Sequence, residues 1–379
     1  MDIERVMDRI TVERLRARGS VKWSVTRGDQ LGAFIAESDL PLAPVVTDAI
    51  TGAVADGLTG YLPTPAAAAT SAACAAFQQQ RFGWAVDPSQ VHLLPDVLGA
   101  FAFTLGHLVE PGTPVVLPTP AYMPFLELPG AVGHELRTLP MDQVGGRFVI
   151  DPERLATALE GGLLVVINPH NPTGQVATRA ELLQIADVVE RTGSSVFADE
   201  IHSPLVYSGS RHVPYASLDE RTAAHTVTAV SASKGWNLPG LACAQLILTS
   251  PELERRWKDS PFVTRHGTSP LGAVAATAAY SPDGVAHLDA TVDYLRRGRD
   301  LFNDRIAQAP SIGYTPPAAT YIHWLDVRET GFGPSEVRRA GVLGTDGSDC
   351  GTTGFLRLTL ATSHAVVGEI ADRLVKLTS

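Results

Sequence analysis

The sequence has few lysines, few cysteines and no long apolar run. The shortage of cysteines and the absence of a long apolar run each argue against a class of protein. Its 379 residues include 30 Lys+Arg, only four of them lysines, and three cysteines without CxxC spacing. Scattered cysteines predict reduced thiols in a cytoplasmic protein rather than a disulfide framework or a metal site. No apolar run reaches the roughly 20 residues that cross a bilayer, and the charged N-terminus is not typical of a secretory signal.

Several site motifs are also missing from the sequence. It has no G-x-G-x-x-G after a strand, no P-loop, no G-x-S-x-G and no H-E-x-x-H. These absences argue against nucleotide binding, triad hydrolysis and zinc catalysis. The net charge of −10, without a block of like charges, argues against nucleic-acid and anionic-membrane partners. We therefore expect no metal, no nucleic acid and no membrane partner.

Apolar strand-like runs alternate with helical patterns through the middle of the chain. Between two of them, LLQIADVVERTG repeats apolar residues at helical spacing and Gly193 ends the pattern. Alternation of this kind requires crossover connections, so it predicts an α/β fold with a mainly parallel sheet. The five predicted strands lie at 114–120, 163–169, 194–200, 226–234 and 244–250.

The last hundred residues differ in character. Residues 286–309 form a long amphipathic pattern, and strand-like runs follow at 320–327 and 354–361. This change predicts two domains. We expect a large domain over 45–285 and a smaller α+β domain made of 1–44 and 286–379.

Polar residues follow three successive predicted strands. NPHNPTG at 168–174, DEIH at 199–202 and SASK at 231–234 each come directly after a buried run. Ligands of doubly wound sheets bind beyond the carboxyl ends of the strands. The pattern therefore brings Asn171, Asp199 and Lys234 to one rim, and a lysine can attack a carbonyl, which arginine cannot.

These motifs, with SASKGWNLPG and the early VKW at 21–23, resemble fold type I pyridoxal-phosphate (PLP) enzymes of the class I/II aminotransferase superfamily. Within it they are most similar to the MalY/PatB-type cystathionine beta-lyase (C–S lyase) branch. The resemblance runs from about Val21 to Ala361. It implies the PLP-dependent transferase fold type I: a large domain with a mainly parallel seven-stranded sheet between helices, and a smaller α+β domain.

The resemblance also implies the residues that hold the reactive end of PLP. Lys234 would bind the cofactor aldehyde covalently and then move the substrate Cα proton. Asp199 would face the pyridine nitrogen and Asn171 the ring oxygen. His202 stands where many relatives carry a tyrosine, and its place beside Asp199 or the ring oxygen stays open.

Phosphate binding is implied for a second group of residues. The backbone N–H groups of Val97 and Leu98, at the start of a helix, would bind the phosphate, with hydroxyl donors from Ser231 and Ser233. Asp96 stands where many relatives have glycine. Tyr61 matches a catalytic-site tyrosine that reaches the phosphate of the neighbouring subunit, which implies a homodimer with shared active sites.

The remaining implied residues contact the ring and the substrate. Tyr122 would stack on the cofactor ring, and Arg357 would bind the α-carboxylate of an amino-acid substrate through its planar fork. Arg357 also lies in an apolar run, and a buried arginine requires an anionic partner. Tyr321 and Trp23 would line the side-chain pocket.

The sequence leaves the reaction open between two outcomes. The same residues support α,β-elimination of a thiol from a cysteine S-conjugate or cystathionine-like thioether, giving pyruvate and ammonia, and transamination by an aminotransferase. DEIH and VKW favour the lyase. A third function, binding of a regulatory partner, is less consistent with a complete catalytic set. Departures from the family pattern at 36–44 and 343–354 predict a substrate other than cystathionine, such as a bulkier S-conjugate.

Overall fold

The computed structural model describes residues 3–378 and contains two principal sheets with helices around them. The strands are β1 Leu31–Gly32, β2 Val91–Leu94, β3 Val115–Thr119, β4 Leu136–Pro140, β5 Asp142–Val144, β6 Arg147–Val149, β7 Leu163–Ile167, β8 Ser195–Asp199, β9 Thr226–Val230, β10 Ala244–Leu248, β11 Gly313–Tyr314, β12 Ile322–Asp326, β13 Val342–Leu343, β14 Thr345–Asp346 and β15 Phe355–Thr359. The α-helices are α1 Ile3–Met7, α2 Val12–Ala17, α3 Val21–Ser24, α4 Pro44–Ala55, α5 Thr64–Phe82, α6 Val97–Phe103, α7 Pro124–Ala131, α8 Pro152–Leu159, α9 Arg179–Arg191, α10 Glu220–His225, α11 Pro251–Asp259, α12 Pro270–Ala279, α13 Pro282–Ile306, α14 Pro334–Arg339 and α15 His364–Lys376.

The larger sheet has seven strands in the order β2-β10-β9-β8-β7-β3-β4. Strand β10 is antiparallel to both of its neighbours, and the pairs from β9 through β4 are parallel. All five predicted strands are present, and the predicted mainly parallel sheet is confirmed. The continuous apolar run of β10 fits either direction, so its reversal was not readable from the sequence.

The smaller sheet has four antiparallel strands in the order β11-β12-β15-β14. Helices α13 and α15 pack on each other, and a separate apolar core includes Leu15, Phe302, Leu358 and Val367. The predicted α+β character of this part is therefore observed. No helix within residues 3–378 is long and apolar enough to cross a membrane.

Local capping determines where the helices begin and end. Helix α9 begins at a capping box in which Thr178 and Glu181 satisfy each other's backbone N–H groups, and Gly193 follows its end with φ 61°. Helix α13 begins at Pro282, earlier than the predicted 286, because the Ser281 side chain accepts the N–H of Gly284.

Candidate active site

Three neighbouring parallel strands deliver the expected residues to one rim of the large sheet. Asp199 pairs with Ile167 of β7 and with Ala229 of β9, so the segments that follow these strands lie side by side. An inner cavity of about 240 Å³ lies beyond the strand ends. It is lined by Asp96 and by nine of the predicted cofactor-binding residues: Val97, Leu98, Tyr122, Asn171, Asp199, His202, Ser231, Ser233 and Lys234.

Asp199 is buried and Lys234 is partly buried, and the pKa values of the two groups shift toward each other. Burial raises the pKa of Asp199 to about 7, although the Ile201 N–H and Lys234 act in the opposite direction. Burial and the nearby Arg357 lower the pKa of Lys234 to about 8, although Asp199 and Glu37 oppose this. Lys234 Nζ donates to the Ala36 carbonyl at 3.1 Å. A lysine with this pKa supplies a neutral amine near physiological pH, as covalent attachment and proton transfer require.

His202 is buried in the same cavity and is held neutral. Burial, with Lys234 and Arg357 nearby, lowers the pKa of its imidazole well below the usual value. Its Nδ1 is buried and has no hydrogen-bond partner among residues 3–378. A buried ring nitrogen without a partner requires one, and a polar group in the cavity would supply it.

Arg357 is 1% exposed, and none of the residues from 3 to 378 forms an ion pair with it. Its Nε donates to Asn171 Oδ1 at 3.1 Å, and its Nη1 donates to the Phe34 carbonyl at 3.1 Å. Both acceptors are neutral, so the buried guanidinium lacks an anion. A substrate carboxylate would satisfy this requirement.

The end of the cavity expected to bind phosphate is built from α6 and the segment after β9. The Asp96 side chain accepts the Gly99 N–H at 2.7 Å and so caps α6. Ser231 donates its hydroxyl hydrogen to the Cys243 carbonyl at 2.8 Å and accepts the Ser233 N–H. The expected donation from Ser231 to a phosphate would therefore require loss of its bond to Cys243, whereas Ser233 Oγ forms no hydrogen bond within residues 3–378 and is available.

A second, outer cavity of about 1060 Å³ adjoins the inner one, and Lys234 and Tyr122 line both. Arg357, Ala36 and Glu37 also line it, as do Gly344, Thr345 and Asp349 of the segment 343–354. The segments 36–44 and 343–354, which depart from the family pattern, thus both border the space beside Lys234.

Three predicted residues lie elsewhere. Trp23, predicted to line the side-chain pocket, lines neither of the two cavities: it is 1% exposed in the smaller core, where its indole N–H donates to Asp39. Tyr321 is buried behind the cavity, with its hydroxyl 3.4 Å from the Ala36 carbonyl and its ring edge-on to His202. Tyr61 is 86% exposed and lies against His266.

The sequence reasoning missed the contribution of residues 33–39, which we call the strap. The strap presents the carbonyls of Phe34 and Ala36 to Arg357 and Lys234. Asn237, in the turn after Lys234, exchanges two hydrogen bonds with the backbone of Ser38. Every residue has a backbone carbonyl, so residue type does not indicate this contribution. Only the joint occurrence of VKW and this segment could have indicated it.

The donor set fits PLP better than it fits a metal. The described residues contain no group of three or more His, Cys, Asp or Glu placed to hold a metal ion. Asp199, Lys234 and His202 instead offer an anion, an amine and a buried ring nitrogen to one small cavity. These are the partners required by a pyridine nitrogen, an aldehyde and a ring oxygen.

The chain belongs to the family described as aminotransferase class I and II, which matches residues 35–374. The cystathionine beta-lyase of Corynebacterium glutamicum is 31% identical over 371 residues, covering 97% of this chain and 98% of that protein. Cystathionine beta-lyase PatB of Bacillus subtilis is 31% identical over 381 residues, covering 96% and 97%. A crystal structure of a candidate PLP-dependent beta-cystathionase from Corynebacterium diphtheriae gives a TM-score of 0.90 at 34% identity, covering 97% and 98%. The predicted family and fold type are confirmed.

Proposed function

We propose that the protein is a PLP-dependent C–S β-lyase that cleaves a cysteine S-conjugate or a cystathionine-like thioether. The observation that carries this proposal is one cavity system lined by the buried Asp199 and Arg357 and the partly buried Lys234, three charged groups with no ion pair among residues 3–378. The relatives named cystathionine beta-lyase, similar along 97% of the chain, support the lyase over other reactions of the family.

Each of these residues has a distinct task in the reaction. When bound, PLP withdraws electrons from the substrate Cα, which makes its proton acidic and allows the β-thiolate to leave. Arg357 binds the α-carboxylate, and Asn171 orients the guanidinium. Lys234 lines the same outer cavity and accepts the Cα proton.

Asp199 and His202 support the cofactor rather than the substrate. A carboxylate at Asp199 stabilises a proton on the pyridine nitrogen, and the buried position strengthens this interaction. The neutral His202 offers its unpartnered Nδ1 to the ring oxygen or to Asp199. The net reaction balances as RS–CH2–CH(NH3+)–COO− plus water, giving RSH, pyruvate and ammonium.

The amino-acid substrate is proposed to differ from cystathionine in its leaving group. The outer cavity, at about 1060 Å³, offers more room than the cysteine portion needs. A bulkier S-conjugate therefore fits this proposal. Equal turnover of cystathionine and bulky S-alkyl cysteines, or faster turnover of cystathionine, would contradict it.

Assembly and location are also proposed. A homodimer with shared active sites would cover Tyr61 and the neighbouring Phe262 and Val263, which are exposed by 86%, 72% and 78%. Tyr61 would then reach the phosphate in the partner subunit. The three cysteines are buried and free, as is typical of a reducing compartment, which supports a cytoplasmic protein.

The test is incubation of the PLP-loaded protein with L-cystathionine, S-alkyl cysteines, and ordinary amino acids with a keto acid. Release of pyruvate and free thiol supports the lyase, whereas amino-group exchange without thiol release supports an aminotransferase. Lys234→Ala should abolish both turnover and the absorbance of covalently held PLP. A function in binding a regulatory partner would survive that substitution.

A further inference from the structure

The strap, residues 33–39, is hydrogen-bonded to both the amine of Lys234 and the guanidinium of Arg357. Its Ala36 carbonyl accepts Lys234 Nζ at 3.1 Å, and its Phe34 carbonyl accepts Arg357 Nη1 at 3.1 Å. The Tyr321 hydroxyl lies 3.4 Å from the same Ala36 oxygen. The position of one short segment thus determines how the amine and the guanidinium are oriented.

The strap is fixed from both sides of the site. Ala33 pairs through its backbone with Leu343 and Thr359, next to the smaller sheet. On the other side, Asn237 Oδ1 accepts the Ser38 N–H at 3.0 Å, and Asn237 Nδ2 donates to the Ser38 carbonyl at 2.8 Å. A shift of the strap would therefore change the distance and orientation of Arg357 relative to Lys234.

A buried ion pair holds the end of the strap. Lys22 is 0% exposed, and its Nζ donates to Asp39 Oδ2 at 2.9 Å and to the Ala361 carbonyl at 3.1 Å. Trp23 Nε1 donates to Asp39 Oδ1 at 2.7 Å, so both carboxylate oxygens are engaged. The Asp39 N–H also donates to the Ala361 carbonyl at 2.9 Å. This set of bonds defines one position for residue 39.

The chain is closely packed around this pair. A Cβ at Gly32 would lie 2.3 Å from the Lys22 carbonyl oxygen, so glycine is required where β1 crosses α3. The Lys22 backbone N–H donates to Glu37 Oε2 at 3.0 Å, which adds a second link from α3 to the strap. Apolar residues of similar volume often replace a buried ion pair without loss of stability, so a gain in stability alone does not account for this pair.

We propose that Lys22 and Asp39 are positioning residues for the lyase reaction: their buried ion pair fixes the strap so that the Ala36 and Phe34 carbonyls orient Lys234 and Arg357. This inference rests on the proposed function. Lys22 and Asp39 themselves touch neither substrate nor cofactor. Removal of Lys22 would leave Asp39 buried without a cation, and hydration of that carboxylate would displace the strap.

The test compares Lys22→Met and Asp39→Asn with the wild-type holoenzyme. Steady-state kinetics give kcat and KM for S-methyl-L-cysteine. Calorimetry gives the Kd of 3-(methylthio)propionate, which offers Arg357 a carboxylate but cannot react. Misplacement of both groups should lower kcat/KM by roughly tenfold to a hundredfold. The Kd should rise about tenfold, since Arg357 loses its orientation.

Leu182→Ala is the matched control for a loss of stability. Leu182 is buried in α9, in a separate apolar cluster, and its truncation leaves a cavity. It should lower the midpoint of thermal unfolding while the Kd of the carboxylate stays unchanged. If the Lys22 and Asp39 variants show only this behaviour, their role is structural and the inference is overturned.

Asn237→Gly provides a second route if Lys22→Met does not fold. Asn237 has φ 57°, which glycine adopts without strain, so the substitution removes the two hydrogen bonds to Ser38 and introduces no buried charge. It should raise the Kd in the same direction, and an unchanged Kd would contradict the inference. If the wild-type holoenzyme releases no thiol, the proposed function fails, whereas the Kd comparison still tests the strap.

Discussion

At the scale of single residues, the site is defined by charges that have been buried without a charged partner. Burying an arginine or a carboxylate alone is costly unless a ligand compensates for it. Arg357 and Asp199 are buried and Lys234 is partly buried, and none of the three forms an ion pair within residues 3–378. Arg357 lines the outer cavity, Asp199 the inner one and Lys234 both. These unpaired charges support the proposed ligands: an anionic group beside Arg357 and a protonated pyridine ring beside Asp199.

Arg357→Lys should raise KM for S-alkyl cysteines by about 10- to 100-fold, because a hydrogen bond to a charged group contributes about 1.5–3 kcal/mol. Lysine retains the positive charge but cannot reproduce the planar fork that also contacts Asn171. Steady-state kinetics measure the effect, with Arg154→Lys at a half-exposed surface pair as control. An equal change in both variants would contradict the assignment.

The contribution of Asp199 to the stability of the cofactor-free protein should fall as pH rises from about 4 to 7, whereas buried histidines with a lowered pKa, such as His170, act in the opposite direction. The pKa of Asp199 is raised from 3.8 to about 7, so the folded state binds more protons than the unfolded state across this range. The pKa of Lys234 is lowered to about 8, so stability should rise again above pH 8, where the unfolded chain binds more protons.

Urea unfolding at a series of pH values measures this dependence, and Asp199→Asn is the control. Relative to the wild type, the variant should become progressively more stable between pH 4 and 7 and should keep the rise above pH 8. A profile identical to that of the wild type would show that other groups are responsible.

At the scale of elements, helix α6 depends on an acid that also lies beside the expected phosphate. Asp96 caps the helix through the Gly99 N–H, so its side chain turns back toward the helix. This geometry explains how a negative charge is tolerated where many relatives have glycine. Capping and phosphate binding nevertheless compete for the same helix terminus.

Asp96→Asn and Asp96→Ala separate these two effects. Asn caps helices as well as Asp does, so Asp96→Asn should leave the unfolding free energy unchanged and tighten PLP binding by up to about fivefold. Asp96→Ala should lower the unfolding free energy by about 1 kcal/mol. Denaturant unfolding and PLP titration measure both quantities. Weaker PLP binding by Asp96→Asn would contradict the predicted repulsion.

At the scale of the whole molecule, we propose that the chain divides into a large domain over 45–285 and a small domain made of 1–44 and 286–379. Each part has its own sheet and its own apolar core. The strap then belongs to the small domain but contacts Lys234 and Asn237 of the large one. Limited proteolysis near residues 280–286 tests this division, and stable fragments with other ends would contradict it.

A hybrid dimer tests whether active sites are shared. Subunits carrying Lys234→Ala and Tyr61→Ala, each inactive or impaired alone, should regain about half of the wild-type activity when purified together with two tags. One of the two sites then combines an intact Lys234 with an intact Tyr61 from the partner. Absence of any recovery in a confirmed hybrid would show that each site lies within one chain.

Much of the fold and site could be predicted because the relevant signals are local. Buried runs such as those of β7 and β8 identify strands by their composition, and residues directly after them fall at a common rim by geometry alone. The reversal of β10 was not predicted, since pairing direction depends on contacts between distant segments. The hairpin of β5 and β6 was also not predicted, although Gly145 and Gly146 between the two strands are typical of a tight hairpin turn.

The sequence by itself determined which residues could do chemistry, because only certain side chains form imines, pair with carboxylates or face a pyridine nitrogen. The tertiary structure decided how they are held. Lys22 and Trp23 are adjacent to each other but remote from Ala361, and only folding brings Lys22 Nζ to that carbonyl, across 339 positions. Burial then shifts the pKa of each charged group, and the local sequence does not encode how deeply a group is buried.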